Sequence, residues 1–119
     1  MQDEWEVDFS LVSVNALHRF QRNHVQEYAS CLRNLDKIIM LLEDGHPLSR
    51  LDRNPGFFRS ERKGVFRIGQ TALVGAKETR LYVYPVEREK VMYVLGIGTK
   101  ESQASDINEA HKVVKNFKK

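Results

Sequence analysis

The chain is 119 residues long, enough for one domain with its own hydrophobic core, and its 41% hydrophobic and 29% charged residues exclude disorder as the starting assumption. No apolar run approaches the ~20 residues of a membrane-spanning helix, and the longest, Ile38 to Leu42, is a helix face. A formal charge of +3 and a single cysteine, Cys31, leave no internal disulfide and no metal-ligand spacing, so a cofactor-free protein of the cytoplasm is expected.

Residues 2–8 are rich in acidic side chains, the opposite of a signal or transit peptide. Glu4 to Phe9 alternates polar and apolar residues, with Trp5, Val7 and Phe9 on one face, and reads as a first strand with Trp5 as a core anchor. Ser13 suits the N-cap of a short helix with Leu17 and Phe20 facing inward. From Asn23 the apolar residues Val25, Tyr28, Leu32, Leu35, Ile39 and Leu42 draw one stripe along a long helix. Two helices joined at Asn23-His24, or one long bent helix, both satisfy the pattern. Cys31 stands one place before the stripe's Leu32 and reads as inert. Gly45 suits a C-terminal cap and Pro47 stops any continuation, so His46 to Gly56 reads as loop.

Strand signals follow at Phe57–Arg59, Val65–Gln70, Thr79–Val86 and Val91–Ile97, with a long turn through Gly75 and a hairpin at Glu87-Arg88-Glu89. Val91 to Ile97 is apolar on both faces, which predicts a central strand with neighbours on either side and cover above and below. Gly96-Ile-Gly98 ends that strand and lacks the third glycine of a nucleotide loop. Ser105 or Asp106 is placed to cap a final helix carrying Ile107, Ala110, Val114 and Phe117 on one side. The order predicts an α+β fold over residues 1–119 as one domain: an antiparallel-rich twisted sheet of about four or five strands. An N-terminal helical pair packs on one face, helices lie mainly on that face, and a helix closes the chain.

Charge is unevenly spread. Residues 1–49 hold 4 Lys/Arg against 8 Asp/Glu, a net of −4, and residues 50–119 hold 15 against 8, a net of +7. Arg50, Arg53, Arg59, Arg62, Lys63 and Arg67 form the densest cationic stretch, which suits a polyanion or an acidic partner; a solvated loop neutralised by the acidic helices is the plainer alternative. Strand alternation sets Phe66, Ile68, Leu81 and Val83 on one face and Arg67, Arg80, Tyr82 and Tyr84 on the other. If the apolar set covers the helices, the second face is open, with guanidiniums for phosphate and rings for unpaired bases. Ordinary cross-strand Arg–Tyr pairs fit equally.

Several stretches together carry a resemblance: Gly64-Val-Phe-Arg-Ile, Thr79-Arg-Leu-Tyr-Val-Tyr-Pro-Val, Lys90-Val-Met-Tyr-Val-Leu-Gly-Ile-Gly-Thr-Lys100 and Asp106-Ile-Asn-Glu-Ala110. This half of the chain resembles the RelE/ParE superfamily of bacterial toxins, covering residues 57–119 well and residues 1–45 in element order only. The resemblance implies the toxin of a type II toxin–antitoxin pair, with a cognate antitoxin as partner. In the RelE/HigB-like branch it implies a metal-independent endoribonuclease that cuts messenger RNA on the ribosome and so inhibits translation. There the ribose 2′-hydroxyl attacks the adjacent phosphate. A ParE-like inhibitor of DNA gyrase, acting by protein–protein contact, and a non-catalytic RNA- or protein-binding module are the alternatives. A homo-oligomer and a toxin–antitoxin hetero-oligomer both stay open; no membrane is implied.

Carried over by position, the resemblance gives catalytic roles to Arg67, Arg80, Lys100 and Asp106, and leaves Arg59, Arg62, Lys63, Tyr82 and Tyr84 to bind RNA. Asp106 or its neighbours stand where RelE-like members have a tyrosine. His18, His24, His46 and His111 all fall off the matching strand and read as surface or helix residues, so no general base is identified. The turn from Thr71 to Glu78 is longer than the family's hairpin.

Overall fold

The structure, a computed structural model, describes residues 4–71 and 75–118; part of the long turn through Gly75, the first three residues and Lys119 fall outside them. Strand β1 (Glu6–Asp8) is followed by helices α1 (Val14–Asn23), α2 (Val25–Glu43) and α3 (Leu48–Leu51), then by strands β2 (Phe58–Ser60), β3 (Phe66–Gly69), β4 (Thr79–Val86) and β5 (Val91–Thr99), and helix α4 (Gln103–Phe117) closes the order. One five-stranded sheet runs in the order β1-β5-β4-β3-β2, with β1 parallel to β5 and every other pair antiparallel. Both edges are three-residue strands, which limits the unpaired backbone they present. The expected α+β class and antiparallel-rich sheet are observed.

Local chemistry explains the helical pair. Ser13 Oγ accepts from the Ala16 N–H at 3.2 Å and starts α1. His24 alone breaks the two helices apart: its backbone leaves the helical region, yet its N–H still reaches the Phe20 carbonyl and its carbonyl accepts from Tyr28. Gly45, at φ +97°, ends α2 as expected. The loop expected from His46 to Gly56 contains the one-turn α3, which buries Leu51.

The buried face of α2 keeps Leu35, Ile39 and Leu42 of the expected stripe but is shifted toward Cys31 and Ile38, and Val25 is 62% exposed. These buried residues pack against Phe58, Phe66, Ile68, Leu81, Val83, Met92 and Val94. Buried Ser30 and Asn34 lie on the same side because they satisfy the end of β3. Asn34 Nδ2 donates to the Gly69 carbonyl at 2.8 Å, and Ser30 Oγ accepts from the Thr71 N–H at 2.9 Å. Hydropathy alone places such residues outside. Cys31 is fully buried, and burial pushes its thiol up to about 12, so it stays protonated and packs as a small apolar group.

The second face is not open. The apolar character of β5 on both sides is met by α4, whose Ala110 and Val114 close over Val65, Tyr82, Tyr93 and Leu95. Helices therefore cover both faces, a correction to the expectation of helices mainly on one. Tyr82 is fully buried beneath α4, and its hydroxyl finds no hydrogen-bond partner among the described residues. Tyr84 packs over Gly64, where a Cβ would come within 2.8 Å of its ring. Tyr82, sealed under the helix, is thus no stacking platform for bases, while Tyr84 is half-buried. A final correction concerns the helix start: α4 begins at Gln103, after a 3-10 turn over Lys100–Ser102, and Asp106 lies inside its first turn.

Each sheet face holds a separate core, so truncation in either should destabilise the whole. Leu35→Ala and Leu95→Ala are each expected to cost about 2–5 kcal/mol by cavity formation, read by urea denaturation; a fully stable Leu95→Ala protein would contradict the closed second face. Tyr82→Phe removes a buried hydroxyl without a partner and is expected to raise stability by about 1 kcal/mol. Burial, then the Asp106 carboxylate, raises the Tyr82 pKa above its ordinary 10.0, and burial raises that of Cys31 above 9.0. The folded chain therefore holds protons that the unfolded chain releases, so stability should fall as pH rises from about 9, and less steeply above 10 in Tyr82→Phe.

Candidate functional site

Strand register brings cations together beside the start of α4. Arg59 on β2 lies directly opposite Arg67 on β3, and Arg80 on β4 lies opposite Gly69, one diagonal step from Arg67. On its other side Arg80 faces Gly98 of β5. Gly69 leaves room for the guanidinium, whose Nη1 lies 3.9 Å from where a Cβ would stand. Lys100 follows the end of β5, whose Thr99 pairs with Thr79. Arg59, Arg67, Arg80 and Lys100 thus line one polar cleft of about 300 Å³, with Gly56, Phe57, Gln70 and Glu78.

Like charges set directly across strands are destabilising. The structure holds them with a neutral clamp: Arg67 Nη1 and Arg80 Nε both donate to Gln103 Oε1, at 2.9 and 2.8 Å. Two guanidiniums around one oxygen repel by about 3 kcal/mol at an effective dielectric of about 20. Carboxylates relieve part of this. Glu61 lies 3.9 Å from Arg67 Nε, and Glu78 Oε2 lies 3.4 Å from Arg80 Nη2 and 3.5 Å from Lys100 Nζ. Four cations against Glu78 alone among the lining residues leave an excess of positive charge, and both arginine side chains are largely buried, at 17% and 16% exposure. Such a cleft is suited to a phosphate or other small oxyanion.

The position of Gln103 depends on a close approach. A Cβ on Gly98 would strike Asp106 Oδ2 and Ser102 Oγ, so only glycine lets the first turn of α4 lie against β5. Asp106 Oδ2 accepts from Ser102 Oγ at 2.6 Å, which fastens that turn. Asp106 is absent from the cleft lining; its observed contact is structural, a correction to its expected place among the reacting groups.

Of the residues singled out in the sequence, the cleft gathers Arg59, Arg67, Arg80 and Lys100 and omits Arg62, Lys63, Tyr82, Tyr84 and Asp106. Lys63 lines a different groove, beside α4, and Arg62 belongs to the same tight turn. None of the four histidines lines the cleft. Sequence reasoning missed Glu78 and Gln103. A carboxylate two residues before Arg80 was a signal for the first; the second, 23 residues from one arginine and 36 from the other, offered none. Among the described residues no three His, Cys, Asp or Glu side chains gather to hold a metal ion, and no helix is long and apolar enough to cross a membrane. A larger hollow of about 690 Å³, lined by Met40, Leu41, Leu51 and Phe57 among others, is mainly apolar and lacks this convergence of charge.

If Gln103 holds the arginine pair, Gln103→Ala should weaken binding of inorganic phosphate about tenfold, the worth of one or two charged hydrogen bonds. Chemical-shift titration of the arginine side chains measures it. Unchanged affinity would mean that the arginines hold their places without the clamp.

No family model matches the sequence, and no curated protein matches it. Among solved structures, the chain is similar to the E. coli toxin RelE, solved in the free state with two arginines replaced by alanine. Identity is 15%, the alignment covers 92% of this chain and 97% of that one, and the TM-score is 0.53. The likeness runs along nearly the whole of both chains, and the protein has the fold of RelE.

Proposed function

We propose that this chain is a toxin of a toxin–antitoxin pair that cleaves messenger RNA on the ribosome, with its cleft as the active site. The observation that supports the reading is the convergence of Arg59, Arg67, Arg80 and Lys100 on one polar cleft in a RelE fold. A role confined to protein contact, such as gyrase inhibition, gives no reason for cationic side chains to be packed edge to edge and clamped.

In this reaction the ribose 2′-oxygen attacks phosphorus while the bond to the 5′-oxygen breaks, leaving a 2′,3′-cyclic phosphate and a 5′-hydroxyl. Arg67 and Arg80 meet the negative charge that grows on the phosphoryl oxygens, and their fixed positions spare reorganisation during the step. Glu78 is the one carboxylate lining the cleft and takes the proton of the 2′-hydroxyl. Lys100, exposed at the mouth and ion-paired with Glu78, gives a proton to the departing 5′-oxygen. Arg59 holds a neighbouring phosphate. A cognate antitoxin completes the pair by masking these charges.

Expression of wild type and Arg80→Ala in bacteria, with primer extension on total mRNA, tests the proposal. In-frame cleavage is expected with wild type, reduced about 10²–10³-fold by Arg80→Ala and about 10²–10⁴-fold by Glu78→Gln. Full cleavage by Arg80→Ala would remove the phosphate assignment. Growth arrest without any cleavage would point instead to gyrase.

A further inference from the structure

A second concentration of positive charge lies apart from the cleft. Lys63, in the turn between β2 and β3, faces Lys112 and Lys115 of α4 and Lys118 just past its end across a groove of about 770 Å³ that shares no lining residue with the cleft. His111, Asn108 and Val114 complete it, and none of the lining residues is acidic. Glu109 lies 3.5 Å from Lys112 at the rim; Lys63, Lys115 and Lys118 carry no ion pair among the described residues.

The turn that presents Lys63 is built at a conformational cost. Arg62, Lys63 and Gly64 have φ of 70°, 54° and 83°, three successive residues in the left-handed region, two of them not glycine. The helix holds this turn in place, since His111 Nε2 donates to the Glu61 carbonyl at 2.9 Å and to that of Arg62 at 3.3 Å. The backbone that carries Lys63 is thereby held beside the lysine face of α4. Lysines near the end of α4 suit the helix dipole, but the dipole gives no reason for a lysine from another element to be strained into the same groove.

We infer that this groove is a second RNA-binding surface, which grips the phosphodiester backbone of RNA beyond the nucleotides held in the cleft. The chemistry of the lining selects the ligand. Ammonium groups are point charges that meet phosphate without reading sequence, no guanidinium lines the groove, and its one ring, His111, is engaged with the Glu61 and Arg62 carbonyls. An acidic peptide needs apolar pockets for its anchoring side chains, and Val114 is the one apolar residue in the lining. From 111 to 118 the face runs for about 10 Å along the helix axis, long enough to meet more than one phosphate of a strand. RNA as the ligand rests on the proposed function above, but binding, not cleavage, decides the inference.

The experiment uses the full chain and a fluorescein-labelled 2′-O-methyl RNA oligonucleotide, which lacks the attacking hydroxyl and cannot be cut. Anisotropy titrations over a range of KCl concentrations compare wild type, the triple variant Lys63→Gln/Lys112→Gln/Lys115→Gln and the cleft variant Arg67→Ala/Arg80→Ala. The lysine variant should bind about tenfold or more weakly at low salt, and its slope of log affinity against log salt should fall by about 2, at roughly 0.7 for each lost phosphate contact. The matching Lys→Arg triple variant should restore both. Loss in the lysine and cleft variants should multiply, as for independent surfaces. Unchanged affinity and slope in a lysine variant that melts like wild type would overturn the inference, as would loss of poly-glutamate binding with RNA binding intact, which would give the groove to an acidic protein. A lysine groove that binds RNA in a chain that cuts none would sink the reading of the cleft alone.

Discussion

The pairing of β4 with β5 is the constraint on which the other features rest. It runs from Thr79 opposite Thr99 to Val86 opposite Val91, so it fixes which residues of both strands share a face. One irregularity occurs: Tyr82 faces Gly96 while Val83 faces Val94, which leaves Leu95 as an extra residue on β5. Leu95 joins the core beneath α4, and past it the alternation of β5 shifts by one residue, so that Ile97 falls on the same face as Met92 and Val94. The same ladder sets Arg80 between two glycines and carries the chain to Lys100 at the cleft mouth. Core and cleft are therefore consequences of one register, and a slip of one residue would exchange their faces.

Within the cleft, repulsion between cations and the rigidity of their supports oppose each other. Arg67 and Arg80 are largely buried and share an uncharged acceptor, and Glu61 and Glu78 offset only part of the positive charge gathered there. A carboxylate in place of Gln103 would relieve the repulsion and occupy the site electrostatically. The amide keeps the geometry and leaves the charge for a ligand. Glu78 supplies the cleft with negative charge at its more exposed edge, between Arg80 and Lys100, where a bound phosphate would compete with it.

Much of this arrangement was legible in the sequence because it is local. Alternation from Thr79 to Val86 places β4 at its observed bounds, and the opposite faces of Arg80 and Leu81 follow from the pleat. Convergence of Arg67, Arg80 and Lys100 needed only the strand order. The misreadings concern what lies over a face. Tyr82 and Tyr84 among arginines read as an open surface, although Val91 to Ile97, apolar on both sides, already required a second cover. The phase of α2 was misjudged because Ser30 and Asn34 are buried for hydrogen bonding to the end of β3, a reason that no hydropathy pattern contains. Gln103 was invisible because its partners come from two strands far away in the chain.

Gly98 has a wider meaning for how such a protein drifts in sequence. It faces Arg80 across the ladder, and the space above it is filled by Ser102 and Asp106 at the start of α4. One missing side chain thus gives the helix its seat directly beside the strand that carries Arg80. Lysine can replace arginine around the cleft and core residues can trade volumes, but position 98 has no substitute. Divergent descendants of this chain should therefore share a glycine facing a cation across neighbouring strands, long after the identity of the residues that touch the ligand has changed.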